Sequence, residues 1–137
     1  MEIKEPVKKY KTTNTIMYSC QYHCIWTTKY RRPVLNDKIQ NRLKELILEK
    51  QQEYDFEVIE IEIMPDHIHL LLSVNPFIGV YSVISRLKGY TSNILRKEFK
   101  ELKSKLPTLW TRNKFISTCG SVSLEVVQKY IENQKCK

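Results

Sequence analysis

A chain of 137 residues with 42% hydrophobic residues is long enough for one domain with a real core. Three glycines and five prolines exclude a fibrous or low-complexity chain, and no apolar run approaches the ~20 residues of a membrane span. A net charge of +8 asks for a polyanionic partner. With no basic amphipathic helix of the membrane-surface kind, a membrane partner is not expected.

The segment Met1 to Lys11 is charged and lacks an apolar signal core, so a cytoplasmic location is expected. There Cys20, Cys24, Cys119 and Cys136 would stay reduced. Thr15 to Thr28 is rich in β-branched and aromatic residues and reads as a first strand. Lys29 to Pro33 follows as a basic loop. Asn36 or Asp37 can cap a helix in which Ile39, Leu43, Leu46 and Ile47 share one face. Phe56 to Met64 alternates, with Ile59, Ile61 and Ile63 expected on one side and Glu60 and Glu62 on the other. Pro65-Asp66 makes a turn into a third strand, His67 to Val74, so these two strands form a hairpin. Pro76 to about Leu102 reads as a helix weakened at Gly89. Trp110 to Cys119 reads as a fourth strand, and Ser121 or Ser123 caps a last helix, Leu124 to about Gln134. The order β-α-β-β-α-β with an added C-terminal helix predicts an α+β, ferredoxin-like (RRM-like) antiparallel sheet with helices on one face.

The sharpest local signal is Met64-Pro65-Asp66-His67-Ile68-His69-Leu70-Leu71-Leu72. Strand side chains alternate, so His67 and His69 share one face, and Ile68, Leu70 and Leu72 the other. Two imidazoles on a rigid strand are a two-point clamp for a metal. The plain alternative is a pair of surface or partly buried histidines with ordinary hydrogen bonds. On the last helix Tyr130 and Gln134 lie four residues apart on one face. If that face docks on the histidine strand, Gln134 Oε1 completes a ligand set suited to Mg²⁺ or Mn²⁺, with Tyr130 Oη beside it. The plain alternative is a half-buried helix tyrosine. Cys20, His23 and Cys24 invite a zinc reading, but on a strand His23 faces away from the two cysteines, and a small core residue is the better account of cysteine here.

Nine basic residues against two acidic ones lie between Arg86 and Lys114, a surplus of seven that carries nearly all of the net charge. Such a cluster can neutralise several phosphates. Tyr90 and Trp110, lying among and at the end of these cations, are candidates for stacking on an unpaired base.

Together these segments resemble the single-tyrosine HUH transposases of minimal bacterial and archaeal insertion sequences, the IS200-like group (HUH being His, apolar residue, His). The resemblance runs from Tyr22 to Gln134 in five blocks: Tyr22 to Leu35, Met64 to Leu72, Arg86-Leu87-Lys88-Gly89, Phe115 to Gly120, and Val126 to Gln134. It implies a single transposase domain over 1–137, with 1–13 peripheral and a catalytic helix over 123–135. It implies Tyr130 as nucleophile, and His67, His69 and Gln134 as ligands of a divalent ion. The implied substrate is single-stranded DNA with subterminal hairpins, cut and rejoined through a 5′-phosphotyrosine. A homodimer is implied, with an active site that the two subunits can share. The basic residues expected on DNA are Lys29, Arg31, Arg32, Arg86, Lys88, Arg96, Lys97 and Arg112. The rival readings are a domesticated relative acting on chromosomal palindromic repeats, and a non-catalytic module that binds single-stranded nucleic acid.

Overall fold

The computed structural model describes residues 11–119 and 124–136; the expectations for residues 1–10 and for a Ser121 or Ser123 cap lie outside them. Two short strands, β1 (Lys11–Thr12) and β2 (Met17–Tyr18), form a small hairpin of their own. Then come β3 (Gln21–Thr27), a 3₁₀ turn at Lys29–Arg31, α1 (Asp37–Glu49) and α2 (Gln51–Tyr54). The hairpin strands β4 (Phe56–Met64) and β5 (His67–Val74) follow, then α3 (Val80–Glu98), α4 (Lys100–Lys105) and β6 (Phe115–Thr118). The last elements are α5 (Leu124–Glu132) and a 3₁₀ turn at Asn133–Cys136.

The main sheet has the order β4-β5-β3-β6, every pair antiparallel. Its first and third strands in chain order lie in the middle, which is the ferredoxin-like arrangement. One face is packed by α1 and α3. Ile39, Leu43, Leu46 and Ile47 of α1 and Val83, Ile84, Leu87 and Leu95 of α3 close over Cys24, Trp26, Ile68, Leu70 and Leu72 of the sheet. The periodicity read in α1 is the one observed, and Asn36 is its cap, Oδ1 accepting from Ile39 N at 3.0 Å.

Expectations for four elements are corrected. The first strand is not continuous from Thr15 to Thr28: Met17–Tyr18 pairs with Lys11–Thr12, and only Gln21–Thr27 enters the main sheet. In β4 the register shifts between Val58 and Glu60. This bulge sets two residues of one strand against one of its partner. Val58, Ile61 and Ile63 therefore face the core, and Ile59 drops out of the expected alternation. The long helix begins at Val80, not Pro76. Asn75 first closes a turn, its carbonyl accepting from Ile78 N and Gly79 N and its Oδ1 from Phe77 N at 2.9 Å. Gly79 then takes φ 88°, a conformation that glycine adopts without steric cost. The same helix ends at Glu98, where Phe99 leaves helical geometry (φ −122°, ψ 90°) while its ring packs on the core.

The fourth element is β6, which is shorter than Trp110 to Cys119. Thr111 N donates to Thr27 O and Lys29 N to Leu109 O, so the chain here is tied to the end of β3. Trp110 sits in the core, edge-on to Trp26 with ring centroids 5.9 Å apart, and its Nε1 donates to Thr91 Oγ1 at 3.0 Å. It is therefore a core residue, not a free surface for a base. Tyr90 is likewise engaged: its hydroxyl donates to Glu49, and Lys50 Nζ lies 4.3 Å from its ring centroid. No helix among the described residues is long and apolar enough to cross a membrane.

Candidate functional site

Strand pairing decides what meets on the other face of the sheet. His67 stands opposite Thr27, His69 opposite Ile25, and Leu71 opposite His23. Cross-strand partners project to the same side, so His23, Ile25, Thr27, His67 and His69 share the face turned away from α1 and α3. Cys24 points into the core, and burial pushes its thiol up. The zinc reading of Cys20, His23 and Cys24 therefore fails on geometry: Cys24 and His23 lie on opposite sides of one strand.

Helix α5 of the same chain covers the histidine face. Ile131 and Ile25 form a small second apolar cluster, with Phe115 and Tyr130 packed against it. The Tyr130 and Phe115 rings lie 5.1 Å apart, and Phe115 pairs with Ile25, which in turn pairs with His69. Past α5, the turn Asn133–Cys136 packs against the turn Lys29–Arg31, which follows directly on Thr27 and Thr28 at the His67 end of the sheet. Gln134 is 2% exposed. Its Nε2 donates to Tyr130 O at 3.4 Å, and its Oε1 receives a long contact from Asn113 Nδ2 at 3.5 Å. Tyr130, Gln134 and the two histidines thus share one side of the sheet.

The local electrostatics differ for each group. His67 Nδ1 donates to Asp66 Oδ1 at 2.7 Å, and its Nε2 is buried with no hydrogen-bond partner among the described residues. The Tyr130 hydroxyl is in the same position, and burial pushes its pKa above the ordinary phenol value. His69 lies against His23, the rings stacked at 5.3 Å with Nε2 of His69 and Nδ1 of His23 3.2 Å apart. Whichever of those nitrogens carries a hydrogen donates to the other. Burial, then the neighbouring His23 and His67, hold His69 down to about 4. For Asp66 burial alone would raise the pKa, but hydrogen bonds from His67 and Arg31, with their charges, hold it below the usual carboxylate range.

His23 was not among the sequence candidates for this site. Its place follows from the pairing of β3 with β5, which the sequence of either strand alone does not announce. Among the described residues no three His, Cys, Asp or Glu side chains gather as a metal cluster. A divalent ion here would need a different kind of third donor, and Gln134 offers a hard amide oxygen on the same side of the sheet.

The structure divides the basic residues expected on DNA. Lys29, Arg31 and Arg32 belong to the turn at the His67 end; Arg32 is exposed, Lys29 Nζ lies 5.0 Å from the Tyr30 ring centroid, and Arg31 Nε donates to Asp66. Arg86, Arg96 and Lys97 lie on α3, on the opposite side of the sheet from the histidines, and Arg86 sits over the Tyr54 ring at 5.4 Å. Arg112 is exposed before β6. Lys88 is turned inward: Nζ donates to Thr111 O at 2.7 Å and Asn113 O at 3.2 Å. Burial and nearby Lys114 lower it to about 8.

This chain is similar to known proteins over most of its length. The ISDra2 transposase TnpA of Deinococcus radiodurans is 36% identical over 123 residues, 88% of each chain. The transposase for insertion sequence element IS200 of Salmonella typhimurium is 29% identical over 119 residues, 85% of this chain and 78% of that one. Among solved structures, a Deinococcus radiodurans R1 crystal structure superposes with a TM-score of 0.84 at 31% identity, covering 93% of this chain and 99% of the other. A REP-associated tyrosine transposase, solved bound to a REP hairpin, shares the fold at a TM-score of 0.53 and 14% identity, covering 95% of this chain and 69% of that one. The family model for IS200-like transposases matches residues 16–134. With the ferredoxin-like sheet and the paired histidines in place, the chain belongs to the IS200-like transposase family, whose role is that of a DNA-cleaving transposase.

Proposed function

We propose that this transposase cuts and rejoins single-stranded DNA with Tyr130 as the nucleophile, in a site built from His67, His69 and Gln134. The observation that supports this most is the docking of α5: a buried phenol oxygen, without a partner among the described residues, lies on the face that carries both histidines. His67, His69 and Gln134 would hold Mg²⁺ or Mn²⁺. The fit rests on the buried Nε2 of His67, which has no hydrogen-bond partner among the described residues, and on two nitrogens with one hard oxygen as donors. Bound there, the ion would polarise a non-bridging phosphate oxygen and offset charge on the leaving 3′ oxygen.

The chain's own groups do the rest. Tyr130 Oη attacks the scissile phosphorus in line, the P–O3′ bond breaks, and the products are a 5′-phosphotyrosine and a free 3′-OH. Burial keeps the phenol protonated in the resting state, so its proton must leave as the P–O bond forms. The phosphodiester energy stays in the tyrosine linkage, and a second 3′-OH can reverse the step and join a new strand. Asp66 holds the His67 ring through Nδ1, and Phe115 supports the Tyr130 ring.

The DNA ligand is proposed to be a single strand with a subterminal hairpin, in keeping with the hairpin bound by the REP-associated structural neighbour. The protein is proposed to act as a homodimer in which α5 of one copy can serve the histidines of either. Lys29, Arg32 and Arg112 are the exposed or rim cations proposed to meet the backbone near the cut, with Arg86, Arg96 and Lys97 on a second, remote face.

Incubation with single-stranded element-end DNA and Mg²⁺, followed by a denaturing gel, tests the reading. Wild type should give a covalent protein–DNA adduct mapping to Tyr130. Tyr130→Phe should give none while binding the hairpin as before. Nicking by the phenylalanine variant, or full activity in a chelator, would overturn it.

A further inference from the structure

Arg31 lies in the basic turn where a phosphate ligand was expected, yet its side chain faces inward. Nε donates to Asp66 Oδ2 at 2.8 Å, Nη1 is buried, and the side chain is 21% exposed. The other oxygen of the same carboxylate, Oδ1, takes the hydrogen on His67 Nδ1 at 2.7 Å. Asp66 is therefore a bridge with one oxygen for each neighbour. A neutral imidazole that donates through Nδ1 has its lone pair on Nε2, and His67 Nε2 is the buried nitrogen with no hydrogen-bond partner among the described residues.

The backbone is bent to achieve this. Tyr30 and Arg31 both take left-handed conformations, φ 57° and 53°. For residues other than glycine this conformation carries a steric cost. The turn is held against that cost from the Asp66 side. Arg31 N donates to Thr28 O, Thr28 N donates to Asp66 O at 3.0 Å, and Thr28 Oγ1 donates to Arg32 O at 2.6 Å. Neighbouring Arg32 carries none of these side-chain ties and is exposed.

We propose that Arg31 is a positioning residue, which through Asp66 fixes the tautomer and ring orientation of His67 so that Nε2 is presented as the metal-facing nitrogen. This rests on the reading of His67 as a metal ligand. Carboxylates that hold a ligating histidine by its second nitrogen commonly affect metal affinity by ten- to a hundredfold; here the carboxylate is itself held by a guanidinium in a strained turn.

The test uses the full chain without DNA, at one neutral pH. Long-range ¹H–¹⁵N NMR of the metal-free wild type should find that the neutral form of His67 carries its hydrogen on Nδ1. Mn²⁺ binding, read by electron paramagnetic resonance, should weaken about ten- to a hundredfold in Arg31→Gln and Asp66→Asn, and less in Arg31→Lys. Hairpin affinity without metal, and its salt dependence, should stay at the wild-type value in Arg31→Gln. In Arg32→Gln the pattern should reverse: Mn²⁺ affinity unchanged, and the salt slope smaller by about one phosphate contact. A neutral wild-type His67 that carries its hydrogen on Nε2 would overturn the proposal without any variant. So would an Arg31→Gln protein that loses hairpin affinity while keeping Mn²⁺ affinity and the Nδ1 tautomer. If His67→Ala binds Mn²⁺ as tightly as wild type, the metal reading fails, and the proposal with it, even where the tautomer is as expected.

Discussion

Replacing Ile131 by alanine separates the docking of α5 from the stability of the sheet. Ile131 is 6% exposed and packs in a small cluster with Ile25, Phe115 and Tyr130, whereas the main core lies across the sheet around Trp26, Leu70 and Leu87. Truncating a buried isoleucine costs about 2–5 kcal/mol. The cluster is small and two of its members are only partly buried, so the lower end, about 2–3 kcal/mol, applies. At about 1.4 kcal/mol per factor of ten, the docked-to-undocked ratio of α5 falls roughly 30- to 150-fold. Native-state hydrogen exchange over residues 128–134 should accelerate by that factor, while the strands β3 and β5 exchange as before. Leu87→Ala is the contrast, because it opens a hole in the main core and should lower the whole denaturation midpoint. The reasoning is refuted if Ile131→Ala lowers that midpoint as far as Leu87→Ala does, with α5 exchanging no faster than the sheet.

Other outcomes follow from the charges and caps. His69 titrates near 4 when folded and near 6.5 when unfolded, so its stability contribution is complete above pH 6.5 and is lost as pH falls through 4. In metal-free protein the loss is of order 3 kcal/mol, read as the pH dependence of the denaturation midpoint relative to His69→Gln; equal dependence in both would contradict it. Lys88, lowered to about 8 against an ordinary lysine near 10.4, carries its charging penalty fully below pH 8. That penalty is relieved as pH rises from 8 toward 10.4. An NMR titration of its amine should show a midpoint well ahead of the other lysines, and one at or above 10 would refute the burial argument. Asn36→Ala removes the oxygen that accepts from Ile39 N and should cost about 1 kcal/mol in a denaturant melt.

The parts legible in the sequence are those governed by period. The hairpin of β4 and β5 is visible in its alternation, the placement of His67 and His69 opposite Ile68 and Leu70 follows from the pleat, and α1 shows both its stripe and its cap. The ferredoxin-like order follows once these elements are set in chain order. The parts that were hidden depend on tertiary choice. Nothing in Thr15 to Thr28 says that its first residues pair with Lys11–Thr12 and only the later ones with β5. The bulge after Val58 has no local signature among β-branched residues. Asn75-Pro76 and Gly79 did carry a turn signal, and the helical pattern downstream obscured it. Charge counts located basic residues but not their direction, and so could not separate Arg31, held by Asp66, from Arg32, exposed beside it. His23 joined the site only through pairing.

Strand β5 is covered on both sides, and its two sides have unrelated duties. Ile68, Leu70 and Leu72 anchor the helices, while His67 and His69 face the proposed active site. A one-residue slip of this strand would exchange the two sets at once, sending imidazoles into the apolar layer and leucines to the face under α5. The strand is thus barred from gradual length change, whereas β4 beside it has already absorbed an extra residue.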